Sequence, residues 1–374
     1  METQNYADIQ YLNLLRKIVV FNTKDEYKKL KKQVEIGQMS IKEAYDEITN
    51  GNQKNLNDVL GKRYDDRTGT GTYKIFGNMM RFDLEDGFPL ITTKEIKPRL
   101  PLGELFWIIS GSSNIETLVK QKNNIWNEWP YKNYMKSNEY KENPLTQQEF
   151  ITEIKNNPDF AKKRGELGPV YGAQWRNFGG HDIFKNSVQE AMSSDPMFAS
   201  TFKELNEQYN LSWNGANGVD QLKNAIDKLK TNPNDRRNLI FAYNPQEVNQ
   251  QLLPSCLAVY QFFVKENKLS TLCYIRSQDT FLGCPFDIVS GAALTHMMAQ
   301  VTNYQVGEYI HFSGDTHIYS NHLEQVQEQL SREPYQMPTI LLDKNIKNIE
   351  DFNEENVKIL NYKCHPAIRG KVSA

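Results

Sequence analysis

The sequence predicts an α+β fold in a single domain. Segments with apolar residues at helical spacing occur together with short runs rich in β-branched and aromatic residues, which indicates helices and strands in one chain. The segment 290–301 is apolar almost all round, as expected of a central buried helix. No stretch rich in proline, glycine and serine divides the 374 residues, so nothing indicates a linker between domains.

The N-terminal part of the chain is predicted to be mainly helical. Residues 9–20 have the pattern of an amphipathic helix, and 101–111 that of a buried helix ending at a glycine. Residues 25–57 are rich in lysine, glutamate, glutamine and asparagine, which predicts a solvated helical insertion. The polar segments 132–165 and 181–218 are predicted to be surface insertions between core elements.

The C-terminal part is predicted to hold the strands. Residues 238–243, 258–264 and 269–276 are dominated by β-branched and aromatic side chains, which favours three strands. A further strand is expected from Tyr304 and a helix over 322–330.

Charge and cysteine content exclude several kinds of protein. The net charge is −2, so no general basic field is available to bind a nucleic acid polymer, and a small nucleotide fits better. The four cysteines, at 256, 273, 284 and 364, form no C-x-x-C pair, so we expect neither disulfides nor a metal site. No basic and apolar leader and no run of about 18 apolar residues occurs, which predicts a soluble cytoplasmic protein.

Five short motifs, taken together and in this order, resemble the thymidylate synthase superfamily, which includes the deoxypyrimidine monophosphate hydroxymethylases. They are Arg67-Thr-Gly-Thr-Gly-Thr72, Leu253-Pro-Ser-Cys256, Tyr274-Ile-Arg-Ser-Gln-Asp279, Phe281-Leu-Gly-Cys-Pro-Phe-Asp-Ile288 and Gly314-Asp-Thr-His-Ile-Tyr-Ser-Asn-His322. The resemblance runs from about Arg67 to the C-terminus, and several ordered motifs are far more specific than one. It implies a mixed β-sheet covered by helices, a homodimer packed through its sheets, and 5,10-methylenetetrahydrofolate as cosubstrate.

Cys256 is the expected nucleophile. Taken alone, a cysteine is more often a small buried hydrophobe than a reactive group. Its place between a Leu-Pro-Ser turn and a strand allows the sulfur to be presented at a strand end. The resemblance implies that this sulfur adds to C6 of the pyrimidine and makes C5 reactive.

The resemblance also assigns the remaining site residues. The substrate-binding set is Arg67, Arg236, Arg237, Arg276, Ser277, Asp287, His317 and Tyr319, with the arginine pair at 236–237 reaching across from the other subunit. Guanidinium groups are suited to a phosphate because they donate in a bidentate fork. The acid and base groups are Glu104 and Tyr171, and the cofactor-binding set is Trp126, Trp129, Asp279, Gly283 and Ala374. As isolated residues, most of these would be surface charges or core aromatics.

Four residues depart from the usual pattern of the family. Asp287 replaces an asparagine in the base-reading loop, Leu257 a histidine after the nucleophile, Ile275 a glutamine, and Gly291 a tyrosine. An asparagine amide matches N3–H and O4 of uracil, whereas cytosine presents an acceptor and a donor at the same edge. A carboxyl group can serve cytosine when it is protonated, or when it is ionised against a protonated N3.

These departures predict hydroxymethylation of dCMP, with Asp287 counted among the catalytic residues. A hydroxymethylase acting on dUMP and a thymidylate synthase that methylates dUMP stay open as alternatives. So does a protein of another class, an inactive relative that binds a nucleotide or RNA. The fate of the one-carbon unit depends on whether water is ordered beside the reacting carbon.

Overall fold

The computed structural model describes residues 5–180, 183–209 and 218–373, the side chains of 183–186 excepted. The chain divides into two compact units. The first unit combines Met1–Leu102 with Gln261–Ala374, and the second is Gly103–Tyr260. The single domain expected from the sequence stays a prediction.

Sixteen α-helices lie within the described residues. They are α1 (Tyr6–Phe21), α2 (Lys28–Glu35), α3 (Ile41–Thr49), α4 (Leu56–Val59), α5 (Arg99–Ile109), α6 (Glu116–Lys120), α7 (Glu128–Met135), α8 (Asn138–Glu142), α9 (Gln147–Asn156), α10 (Pro158–Arg164), α11 (Tyr171–Asn177), α12 (Ile183–Ser194), α13 (Pro196–Gln208), α14 (Gln221–Thr231), α15 (Gly283–Thr302) and α16 (Leu323–Leu330). The strands of the same part of the chain are β1 (Thr72–Asp83), β2 (Leu239–Phe241), β3 (Leu257–Lys265), β4 (Lys268–Asp279), β5 (Gln305–Tyr319), β6 (Thr339–Leu342) and β7 (Val357–Leu360).

The first unit is built on a mixed sheet. Strand β5 pairs antiparallel with β1 and parallel with β4, so one strand takes part in both kinds of ladder. Helix α15 packs against β4 and β5, and α1 packs against β1. The mixed sheet with helices against it confirms the predicted fold class.

Helix α1 belongs to the core of the first unit. Tyr11, Leu15 and Ile18 are fully buried at the spacing of one helix face. The hydroxyl of Tyr11 donates a 3.0 Å hydrogen bond to the backbone carbonyl of Thr280, just after the end of β4. This contact ties α1 to the loop between β4 and α15.

Strand β1 was not predicted from the sequence, because its residues do not alternate simply between apolar and polar. Phe76 is 88% exposed and Met79 is 55% exposed, although both are apolar. Met79 lies beside Phe312 of β5 in the antiparallel register, and Phe312 is also exposed. The sheet therefore presents apolar side chains on an uncovered face of this chain.

The segment 25–57 is helical, and part of it is buried. Ala44, Tyr45 and Ile48 on α3 are almost completely buried, and α3 packs against α1. Helix α2, in contrast, buries none of its residues. The apolar positions of α3 recur at helical spacing, which explains why it packs although the segment is polar on average.

The second unit is mainly helical. The segment 132–165 contains α8, α9, α10 and much of α7, which pack around the fully buried Tyr134 and Phe150. It therefore has a small aromatic core of its own. The other predicted insertion, 181–218, forms α12 and α13 over its described part, and residues 181–182 and 210–217 lie outside the described residues. Across both units, none of the described helices is long and apolar enough to cross a membrane.

Candidate active site

In the second unit, Cys256 lies directly before β3 and is half-buried. The phenol oxygen of Tyr171 accepts a 3.0 Å hydrogen bond from the backbone N–H of Cys256. Tyr171 is the first residue of α11, so the start of a helix and the start of a strand meet here. The structure thus places the predicted nucleophile and one predicted proton-transfer group side by side.

Glu104 lies on α5 and is half-buried beside Trp126. The indole Nε1–H of Trp126 donates a 2.6 Å hydrogen bond to Oε1 of Glu104. A carboxylate on a mostly apolar helix needs such a donor, because an unpaired buried charge costs several kcal/mol. The indole N–H of Trp126 is one such donor for the carboxylate of Glu104.

Trp126 also joins the aromatic residues of this unit. Its ring centroid lies 5.3 Å from that of Trp129 and 5.7 Å from that of Tyr171. Trp126 is 5% exposed, so its position is fixed by packing. Glu104, Trp126, Trp129, Tyr171 and Cys256 therefore form one connected group, which we call the cysteine cluster.

A glycine allows α11 to approach α5 closely. A Cβ atom on Gly172 would lie 2.6 Å from the backbone oxygen of Ile108 and 3.0 Å from that of Ser112. Because only glycine fits at this distance, Gly172 fixes where the neighbouring Tyr171 starts its helix.

The predicted arginine pair of the second unit lies at a surface. Arg236 and Arg237 precede β2 and are exposed. Nε of Arg237 is 2.9 Å from Oδ1 of Asp235, and the side chain of Arg237 stays 85% exposed. The pair is thus presented at a surface, held in place on one side by an aspartate.

In the first unit, three predicted site residues and the neighbouring Gln278 lie close together where β4 ends and α15 begins. Nε2 of Gln278 donates a 2.8 Å hydrogen bond to Oδ2 of Asp287. Asp279 accepts hydrogen bonds of 3.0 Å at Oδ1 from the backbone N–H groups of Phe281 and Leu282. A Cβ atom at Gly283 would lie 3.6 Å from Nε2 of Gln278 and 3.8 Å from Oδ2 of Asp287. We call Gln278, Asp279, Gly283 and Asp287 the carboxyl cluster.

The carboxyl group of Asp287 is poised between its two protonation states. Burial raises its pKa, the hydrogen bond from Gln278 lowers it, and the negative charge of Asp279 raises it, with a result of about 7. Asp287 is therefore partly neutral at neutral pH. A neutral carboxyl group carries a donor as well as an acceptor.

The register between β4 and β5 places the remaining predicted residues of this unit. Asp279 lies beside His317, and Ser277 beside Asp315. Nδ1 of His317 is 2.9 Å from Oδ1 of Asp315, a contact that lowers the pKa of Asp315. The rings of His317 and Tyr319 are 5.0 Å apart in an edge-on arrangement.

Two predicted phosphate ligands of the first unit differ in their surroundings. Arg276 is half-buried near the end of β4, whereas Arg67 is exposed in the loop before β1. The same loop is contacted by the C-terminal segment, because Oγ1 of Thr70 is 3.1 Å from Oγ of Ser373. Ala374, a predicted cofactor ligand, lies outside the described residues.

The residues that depart from the family pattern lie at buried or closely packed positions. Leu257 and Ile275 are buried, each within its own unit. A Cβ atom on Gly291 would lie 2.2 Å from Cζ of Tyr309, so a ring from β5 fills the space beside Gly291. Gln278, Tyr309 and His311 were not singled out from the sequence. Gln278 lies in a recognised motif, whereas only the structure shows that His311 contacts Gln278 and that Tyr309 contacts His311.

No group of three or more histidine, cysteine, aspartate or glutamate side chains that could hold a metal ion occurs among the described residues. The chemistry available is that of a thiol, a phenol, carboxyl groups and arginines. Within the cysteine cluster, a half-buried thiol together with a phenol and a carboxylate is suited to covalent catalysis with proton transfer, which indicates an enzyme.

The comparison with known proteins gives the family. Residues 53–374 match thymidylate synthase, and the chain belongs to the thymidylate synthase family. A thymidylate synthase of Mycoplasma mobile is 46% identical over 320 residues, which cover 85% of this chain and 97% of the relative. One of Malacoplasma penetrans is 44% identical over 314 residues, covering 84% and 95%. One of Aster yellows witches'-broom phytoplasma is 44% identical over 308 residues, covering 82% and 93%.

The family predicted from the motifs is thereby confirmed. This protein is an enzyme that transfers a one-carbon unit to C5 of a pyrimidine, and its cosubstrate is methylenetetrahydrofolate. An inactive relative, the alternative of another class, is no longer needed to explain the sequence.

Proposed function

We propose that this enzyme takes dCMP as its nucleotide and converts C5 of cytosine into a hydroxymethyl carbon. The observation that carries the proposal is the carboxyl group of Asp287, which stands where the family has an asparagine and is held by Gln278 at 2.8 Å. A neutral carboxyl group can donate to N3 of cytosine and accept from its 4-amino group. With a pKa of about 7, Asp287 is neutral in a large fraction of molecules at neutral pH.

The cysteine cluster supports the chemical roles that the resemblance implies. Cys256 would add its sulfur to C6 of the pyrimidine, and proton removal from C5 would follow. Tyr171 stands beside Cys256, with its oxygen 3.0 Å from the backbone nitrogen of that residue. Glu104, held by Trp126, would order the water through which protons move.

Each cluster, taken by itself, contains residues suited to the folate cosubstrate, which would supply the one-carbon unit when bound. Oδ1 of Asp279 already accepts two backbone hydrogen bonds, which leaves Oδ2 to accept from an N–H group of a ligand. Trp126 and Trp129 offer flat apolar surfaces suited to an aromatic ring system. Gly283 leaves room for a ligand beside the carboxyl cluster.

We also propose a homodimer. Arg67, Arg276 and Ser277 would bind the phosphate together with Arg236 and Arg237 of the partner subunit. The exposure of the arginine pair supports this role. The exposed Phe76 and Met79 on the sheet face support association through the sheet, because a large apolar patch on one chain usually marks an interface.

A second candidate function is methylation of dUMP, as in a thymidylate synthase. The relatives that match over nearly their whole length carry that name, and by themselves they favour this candidate over the first. A neutral Asp287 would also match uracil, by donating to O4 and accepting from N3–H. Trp126 resembles a residue that shuts the site in methylating members of the family, which favours a methyl product.

One experiment separates the two candidates. The enzyme is incubated with methylenetetrahydrofolate and either dCMP or dUMP, and the nucleotide mass and the released folate are measured. Hydroxymethyl-dCMP with release of tetrahydrofolate is the expected result, because water then completes the reaction without an oxidation. Thymidylate with dihydrofolate, from dUMP alone, would overturn the proposal and establish the second candidate. The Cys256→Ser variant is the control for product that does not come from the enzyme.

A further inference from the structure

A series of hydrogen-bonded, buried polar side chains begins at Asp287 and leads away from it through Gln278. Oε1 of Gln278 is 2.7 Å from Nε2 of His311, and Nδ1 of His311 is 3.0 Å from the hydroxyl of Tyr309. The hydroxyl of Tyr309 is also 3.0 Å from Sγ of Cys273. Gln278 is 1% exposed, and His311, Tyr309 and Cys273 are fully buried. We call these four residues the buried relay.

The direction of the hydrogen bonds in the relay follows from one anchor. Nε2 of Gln278 donates both to Oδ2 of Asp287 and, at 3.4 Å, to the backbone carbonyl of Asp279. Because a carbonyl oxygen only accepts, the amide nitrogen of Gln278 must lie on that side. Its oxygen then faces His311 and needs a donor there.

His311 can meet that need in only one way. Burial lowers its pKa to about 3, so the ring is neutral and carries a single N–H. That hydrogen must sit on Nε2, which faces Gln278, so Nδ1 is an acceptor. Its donor is the hydroxyl of Tyr309 at 3.0 Å or the thiol of Cys273 at 3.4 Å, because the same hydroxyl also lies 3.3 Å from the backbone carbonyl of Asp287. The hydrogen bonds from His311 to Gln278 and from Gln278 to Asp287 thus both point toward Oδ2 of Asp287.

We propose that Gln278 and His311 are positioning residues that keep Oδ2 of Asp287 an acceptor, so that the neutral carboxyl group offers its proton to the base from Oδ1. The inference rests on the proposed function, since it names how Asp287 would present a donor to N3 of cytosine. Without the relay, the proton would distribute between the two oxygens, and the donor would face the base only part of the time.

The other groups around Asp287 do not supply this direction. The titratable or charged groups that face it or its neighbours are Asp279 and Cys273 on β4, Cys284 on α15, Tyr309 and His311 on β5, and Lys94. Burial raises the pKa of Cys273 to about 12 and that of Cys284 well above its usual range, so both are neutral thiols. Asp279 adds negative charge, which raises the pKa of Asp287 but does not choose between its oxygens.

The test is the titration of Asp287 itself, followed by the ¹³C resonance of its carboxyl carbon and assigned by the loss of that resonance in Asp287→Asn. The Gln278→Met variant removes the donor, so the pKa of Asp287 should rise by roughly half a unit to one unit. KM for dCMP should rise about three- to tenfold, with a smaller change in kcat. His311→Phe should shift the pKa in the same direction, and His311→Gln, which restores an N–H near Gln278, should reverse part of the shift.

Two further variants keep the test decisive. Gln278→Glu preserves the side-chain size and should raise the pKa of Asp287 further, even if Gln278→Met folds poorly. Thr295→Val removes a buried hydroxyl on α15 that donates to the carbonyl of Gly291 within its own helix, and it should leave the titration unchanged. If Asp287 titrates in both Gln278 variants as in the unaltered enzyme, the relay has no such role. If the titration shifts but the enzyme acts only on dUMP, the effect of the relay on Asp287 is supported and the proposal that dCMP is the substrate is contradicted.

Discussion

Gly291 on α15 and Tyr309 on β5 are fitted to each other, since a Cβ atom on the first would lie 2.2 Å from Cζ of the second. The hydroxyl of the same tyrosine is 3.3 Å from the backbone carbonyl of Asp287. The glycine therefore makes room for a ring that belongs to the buried relay.

The fit between these two residues predicts that Gly291→Ala destabilises the enzyme. The added methyl group would press on a fully buried ring, and overpacking of this kind costs about 1–3 kcal/mol. Urea denaturation measures the loss. Because Tyr309→Ala removes the obstacle, the double variant should be more stable than the sum of the two single effects predicts. Simple additivity would show that the two residues do not share this space in solution.

Cys256→Ser should abolish turnover and leave nucleotide binding largely intact. A serine hydroxyl is a far weaker nucleophile than a thiolate, whereas the arginines proposed to bind phosphate are unchanged. Steady-state rates and calorimetric titration with the nucleotide measure the two properties separately. More than a few per cent of the original kcat, after exclusion of contaminating enzyme, would remove Cys256 from the role of nucleophile.

Asp287→Asn should shift kcat/KM from dCMP toward dUMP. A base that does not match leaves polar groups unpaired, at a cost of about 1–3 kcal/mol for each group. The ratio of kcat/KM for the two nucleotides should therefore change by roughly tenfold to more than a hundredfold. Leu257 limits the switch, because the histidine usual in the family does not return with the mutation. Unchanged preference for dUMP in both proteins would show that position 287 does not read the base.

The pKa of Asp287 also predicts how stability depends on pH. The folded-state value of about 7 lies above the ordinary value of about 4, so between these values the folded state binds more protons than the unfolded state. Stability from this group is therefore present at low pH, falls as the pH rises through this range, and levels off above it. The advantage in Tm of Asp287→Asn over the unaltered enzyme should grow over the same range. A constant difference at all pH values would contradict the raised pKa.

Mixing two inactive variants tests the proposed sharing of arginines. Arg237→Ala and Cys256→Ser each damage both sites of their own homodimer. A mixed dimer has one site with an intact cysteine and an intact arginine from the partner subunit, so activity should return to as much as about a quarter of the original level. Mass spectrometry shows whether subunits have exchanged. Exchange without recovered activity would place the arginine and the cysteine of one site on the same chain.

The sequence was sufficient to predict the fold class and the family and to name the residues of the cysteine cluster as candidates, because motifs and periodicity are local. Tyr171 and Cys256, for example, were both predicted from short motifs, and the structure brings them together. The relay could not be predicted in this way. Cys273 lies beside His311 only through the parallel register of β4 and β5, strands separated by the whole of α15. A register of this kind depends on long-range pairing that no short window of sequence contains.

Strand β1 shows a second limit of prediction. Sequence periodicity identifies a strand when one face is buried and the other is solvated. Phe76 and Met79 are apolar but exposed in the single chain, so the expected alternation is missing. The same two residues support the proposed subunit interface, since an interface removes the reason for a polar outer face.

The hydrogen bond between Tyr11 and Thr280 bears on how this enzyme can be shortened. The match to the family begins at residue 53, so the match alone gives no role to the preceding residues. Yet Tyr11 supports the backbone immediately after Asp279, in the loop that leads into α15, the helix that carries Asp287. Removing the residues before 53 would remove the hydrogen bond from Tyr11 to Thr280 together with the buried helix α1. We expect such a truncated protein to lose ligand affinity even where enough of its sheet survives to fold.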